Sequence, residues 1–183
     1  MKKSLFAIAL LAGVAACGTP AETTDGGEVA EATESGVYHD LGGEASSPIY
    51  TVTAEDTLAV RGYDVVSYFV GEGVPVEGSE EFTVLYQGYE YRFANAENAD
   101  RFIEDPDQYA PAYGGYCAWA LGANDSLAEG DPNVYEIVDG RLFLNFNEQV
   151  QGNWQADQAN FIVSADENYP AHPADQHHSN QFD

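Results

Sequence analysis

Two dipeptides, Gln87-Gly88 and Asp139-Gly140, each split a run of β-branched and aromatic residues, and they constrain the fold more than anything else in the chain. From Val134 to Asn145 the order is Val-Tyr-Glu-Ile-Val, Asp-Gly, Arg-Leu-Phe-Leu-Asn. Asp-Gly readily takes the positive φ angles of a type I′ turn, so this stretch predicts a two-residue hairpin. Phe82 to Phe93 reads the same way around Gln87-Gly88. A shorter alternating run, Ile49 to Thr53, predicts one more strand. Asn95 is placed to cap a short helix whose apolar stripe is Ala99, Phe102 and Ile103, and Asp105-Pro106 stops it. Asn147 to Gln155 and Asp157 to Asn168 predict two further helices, the second capped by Asp157 and facing inward through Phe161, Ile162 and Ala165. The expectation is an α+β fold: a small single domain of antiparallel hairpins with short helices packed on one face.

The N-terminal residues are of another kind. Lys2 and Lys3 precede an apolar run, Leu5 to Val14, of about ten residues, whereas a membrane-spanning helix needs about 20. This is the layout of a secretion signal. The run closes on Val14-Ala15-Ala16-Cys17, which resembles the lipobox of bacterial lipoproteins. The resemblance implies cleavage before Cys17 and a lipid on its thiol. Residues 1–16 are thus expected to be a signal peptide. The mature chain is expected in the cell envelope, anchored to the membrane by lipid. Gly18, rather than Asp, follows the cysteine, which by likeness to lipoprotein sorting favours the outer membrane, facing the periplasm.

Composition narrows the function classes. Without Lys2 and Lys3 the mature chain keeps four arginines, no lysine and 31 acidic residues, a formal charge of −27. Such a surface repels nucleic acid and anionic headgroups, and nucleic-acid partners are excluded on that ground. Residues 17–47 are rich in Gly, Thr, Ala, Glu and Ser and poor in large apolar residues, and so read as a flexible acidic tether. Residues 48–170 hold most of the aromatic residues and form a normal domain length. Residues 171–183 form a polar, His-containing tail. With Cys17 consumed by lipid, Cys117 has no intramolecular partner, and the fold must rest on packing.

Three separated segments carry a family resemblance. They are Gly62-Tyr-Asp-Val-Val-Ser-Tyr-Phe69, Tyr86-Gln-Gly-Tyr-Glu-Tyr-Arg-Phe93 running on to Asp105-Pro-Asp-Gln-Tyr109, and Gly114-Gly-Tyr-Cys-Ala-Trp-Ala120 with Leu142-Phe-Leu-Asn-Phe-Asn147. Together they resemble the YHS domain family in its larger secreted bacterial form, over about Ala59 to Pro170. Short members in metal-transporting ATPases and heavy-metal sensors carry cysteines that can hold a soft metal. The corresponding positions here are Ser67, Ala94 and Asn98, none of which supplies a thiolate. The resemblance therefore implies the architecture without that metal site.

Tyr113-Gly-Gly-Tyr-Cys-Ala-Trp-Ala120 follows no regular period, and irregular aromatic, Gly-containing segments are where sites tend to lie. Cys117 fits three roles: metal thiolate, redox thiol or buried small hydrophobe. Tyr113, Tyr116, Trp119, Tyr68 and Asp64 are candidates to line a ligand site, although core filling and, for Asp64, helix capping explain them equally. Of the four histidines, His39 lies in the tether and His172, His177 and His178 in the tail. The domain thus lacks the commonest general base and metal ligand. The tail histidines are weaker metal candidates than Cys117. No nucleophile elbow, Walker loop, dinucleotide fingerprint or Cys-x-x-Cys pair occurs. The leading expectation is a non-enzymatic, membrane-tethered binding module for a small ligand or an envelope protein. No cofactor is expected for it, a transition metal being the alternative. The alternatives are transition-metal handling through Cys117 and a thiol-based redox protein.

Overall fold

Both expected hairpins form. The computed structural model describes residues 37–176. Strand β1 (His39–Asp40), β2 (Ser79–Tyr86) and β3 (Tyr89–Phe93) make one sheet in the order β1-β2-β3, and β4 (Asp131–Val138) with β5 (Arg141–Asn145) makes a second. Gln87-Gly88 and Asp139-Gly140 turn with φ of 54° and 86°, and of 51° and 78°, the positive pairs that a type I′ turn needs. Helices α1 (Ala96–Glu104), α2 (Pro106–Tyr109), α3 (Ala118–Asn124), α4 (Glu148–Gln155) and α5 (Gln158–Asn168) complete an α+β fold.

The helix starts follow local chemistry. Asn95 and Asn147 each accept the backbone N–H three residues on, Asn98 and Val150, and so satisfy an otherwise orphaned donor. Pro106 ends α1 and at once becomes the first residue of α2, where its missing N–H costs nothing. Asp157 departs from expectation. It stands at the cap position of α5, but its carboxylate takes the Asn160 side-chain amide and caps no backbone N–H.

Two further expectations are corrected. Ile49 to Thr53 forms no strand. Its backbone is held by Tyr50 N–H donating to the Gly114 carbonyl, the Tyr50 hydroxyl donates to Glu129 and that of Thr51 to the Thr53 carbonyl, and Ile49, Tyr50 and Thr51 are buried. His39 and Asp40, assigned by composition to the tether, instead pair in parallel with Val84 and Leu85. Tyr38 donates its hydroxyl to Asp100, which fixes this segment against α1.

Strand β5 explains how two cores share one small body. Successive strand side chains point to opposite faces. Leu142 and Leu144 therefore enter a cluster with Val65, Val84, Phe93 and Phe102, while Phe143 enters another with Tyr113, Tyr116, Leu121 and Trp154. Between the clusters run two left-handed turns, Val60-Arg61-Gly62 and Tyr113-Gly114-Gly115, all six residues having positive φ. Gly114 is required there twice over. Its φ is +59°, and a Cβ would lie 2.5 Å from the Pro48 carbonyl oxygen.

Candidate functional site

The residues singled out from sequence do not gather in one place. Cys117 is 1% exposed, in a buried cluster with Ala120 and Ala128 against which Trp119 and Val150 pack. Its sulfur lies 3.7 Å from Asn145 Oδ1, which also accepts the Trp119 backbone N–H. Burial pushes the thiol up from its ordinary value, because a thiolate would lose its hydration there. Tyr116 is fully buried, and its hydroxyl donates to the Gln176 carbonyl, folding the start of the tail onto the body. Tyr68 is buried edge-on against Tyr135 and donates to the Pro132 carbonyl. Asp64 is also sealed. Its carboxylate accepts the backbone N–H of Val66, Ser67 and Ala94 and the Asn98 side-chain amide, tying a turn to the start of α1. His172 bonds Asp125 and Gln176, while Cys17, His177 and His178 lie outside the described residues. Among the described residues, no group of three or more His, Cys, Asp or Glu side chains is arranged to hold a metal ion.

Of these candidates, Tyr113 lines an open cleft. The cleft has a volume of about 250 Å³ and lies between the first hairpin, α2, the Pro111 to Gly114 turn and the start of β5. On the hairpin side the Tyr86 hydroxyl donates to Asp107 Oδ1 at 2.8 Å and accepts from Gln87 Nε2. From the second hairpin comes Arg141, whose two Nη atoms grip both oxygens of Asp166 at 3.0 and 2.7 Å. The guanidinium sits 5.6 and 5.0 Å from the Tyr113 and Phe143 ring centroids, a cation–π arrangement. Arg141 holds the Asp166 carboxyl below the usual carboxylate range. Tyr113 also donates its hydroxyl to Asp166, so the Arg141 head is fixed from two sides.

Tyr91 supplies a buried polar group of the cleft. It is 2% exposed and stacked on Phe102 with 4.9 Å between ring centroids. Among the described residues its hydroxyl makes no hydrogen bond, unlike those of Tyr86, Tyr113 and Tyr169, the last of which donates to the Pro48 carbonyl. Burial, with the hydroxyls of Tyr169 and Tyr86 nearby, raises its titration and keeps it a phenol able both to donate and to accept. Tyr91 lines the cleft, where water or a ligand can supply its hydroxyl with a partner.

Comparison of the chain with protein-family models, with curated proteins and with solved structures finds no match. The chemistry of the cleft must therefore be read from its own groups. It offers an acid, a pinned guanidinium, a free phenol and the Gln108 amide, whose nitrogen donates to the Gly140 carbonyl. These groups can hold and orient a polar molecule. Sequence reasoning missed Tyr86, Tyr91, Asp107, Arg141 and Tyr169, because each has an adequate role as a strand, turn or helix residue. The only signal was Arg141, one of four arginines, directly after the Asp139-Gly140 turn.

Proposed function

We propose that this chain is a lipid-tethered, YHS-type binding module of the bacterial cell envelope that takes a small polar ligand in the cleft over Tyr91. The observation that carries this reading is the unpartnered hydroxyl of a nearly buried tyrosine, lining a cleft whose other polar groups are already held in place. Ligand pockets for drug-sized molecules span about 300–1,000 Å³, so a cleft of about 250 Å³ suits a smaller, metabolite-sized guest. The YHS reading is supported by the meeting of Ser67, Ala94 and Asn98 around Asp64, although they are far apart in sequence. The sealed Cys117, with its thiol pushed up, supports a packing role over metal handling or redox chemistry. No helix among the described residues is long and apolar enough to cross a membrane, which is compatible with anchoring through Cys17.

Amide chemical-shift mapping of the mature chain, titrated with a mixture of sugars, polyols, amino acids and nucleosides, tests the site. Shifts clustering at Tyr86 to Tyr91, Asp107 to Gly114 and Arg141 are expected, and an unchanged spectrum would remove the binding reading. For the anchor, Cys17→Ser should move the protein from the membrane fraction to the soluble one. Retention of the variant in the membrane would contradict lipid attachment.

A further inference from the structure

Arg141 and Asp107 place one guanidinium and one carboxylate on the same cleft. In a chain with so few cations this is a selective arrangement. The other three arginines pair elsewhere, Arg61 with Glu129, Arg92 with Glu80 and Glu90, and Arg101 with Glu97, and none of them lines this cleft. Both cleft groups keep unused capacity. Tyr86 occupies one oxygen of Asp107 and leaves the other. Arg141 gives Asp166 one N–H from each Nη, and a guanidinium carries five. The Tyr91 hydroxyl is free to donate or accept.

Long-range electrostatics selects among guests. A mature charge of −27 opposes the approach of any net anion, so Arg141 is poorly used as a trap for a simple carboxylate. A simple cation would satisfy Asp107 and leave the remaining Arg141 N–H groups without a guest. A zwitterion crosses the protein's field as a neutral molecule and meets an opposite charge at each end. We infer that the ligand of this cleft is a zwitterionic α-amino acid, with its ammonium on Asp107, its carboxylate on Arg141, and the Tyr91 hydroxyl bonded to one of them. This assignment rests on the reading of the cleft as a binding site, and it specifies the ligand class.

The test uses the full mature chain in detergent and two matched sets of probes at constant ionic strength. L-alanine is compared with ethylamine and propionate, and L-phenylalanine with 2-phenylethylamine and 3-phenylpropionate. The two amino acids should shift the Gln108 and Gly114 amides saturably at millimolar concentration, and each one-ended analogue should bind at least about tenfold more weakly, as loss of one charge-assisted contact implies. Asp107→Asn and Arg141→Gln should each weaken the amino acids by a similar factor. Asp166→Asn, which removes the arginine's partner but keeps the guanidinium, should preserve or strengthen binding and so separates a binding role of Arg141 from a structural one. Amines binding as tightly as amino acids, with no effect of Arg141→Gln, would overturn the zwitterion assignment while leaving the cleft a binding site. If no probe binds although the broader mixture shifts the cleft residues, the assignment falls alone. If neither binds, both readings fall.

Discussion

Asp64→Ala is expected to lower the free energy of unfolding by about 4 kcal/mol, since each buried donor left without a partner costs about 1–3 kcal/mol. The substitution orphans four donors at once: the backbone N–H groups of Val66, Ser67 and Ala94 and the amide of Asn98. Asp64 is fully buried, so water cannot readily replace the lost acceptor. Removing one negative charge from so acidic a protein relieves some repulsion. That gain is spread over exposed, screened carboxylates and is smaller than the loss at four buried donors. Asp64→Asn keeps one acceptor oxygen and should fall between the wild type and Asp64→Ala. Urea unfolding followed by fluorescence measures both variants. A loss below about 1 kcal/mol for Asp64→Ala would show that these donors find other partners and that the turn is not held as described.

Phe102→Ala should cost about 3–5 kcal/mol, the range for deleting a buried aromatic side chain and leaving a cavity. Phe102 is fully buried at the centre of the first core, its ring centroid 5.7, 4.9 and 5.1 Å from those of Tyr86, Tyr91 and Phe93. Its loss reaches the cleft as well as the core, since Tyr91 is stacked on it and Tyr86 meets it edge-on. Phe102→Leu, which fills most of the space, should cost distinctly less. Equal losses for the two variants in urea unfolding would mean that ring packing, rather than volume, dominates at this position.

How much of this was legible in the sequence depends on whether the cause was local. The two hairpins and the Asn95 cap are encoded within a few residues, by turn dihedrals and by one side chain reaching one backbone N–H, and they formed as read. Ile49 to Thr53 alternates like a strand, yet its neighbours in space are the Tyr113 to Gly115 turn and Tyr169, and pairing partners of that kind do not show in a local pattern. His39 and Asp40 carry no strand signal of their own, and the open edge of β2 recruits them. The cleft was hidden for the same reason. Asp107 belongs to α2, Tyr91 to β3 and Arg141 to β5, and only the fold brings them to one space. Cys117 drew attention as the lone thiol of an irregular segment, but chemical rarity in a sequence says nothing of access to solvent.

We assign ligand chemistry to the tyrosine-lined cleft and a packing role to Cys117. The most direct measurement is the affinity of the mature chain for the metabolite mixture in two variants, Tyr91→Phe and Cys117→Ala, read from the Gln108 and Gly114 amide shifts. Tyr91→Phe removes one hydroxyl and should weaken binding about fivefold or more, the loss expected of a hydrogen bond worth about 1 kcal/mol. Cys117→Ala should bind as the wild type does. Unaltered binding in Tyr91→Phe together with its loss in Cys117→Ala would contradict the account.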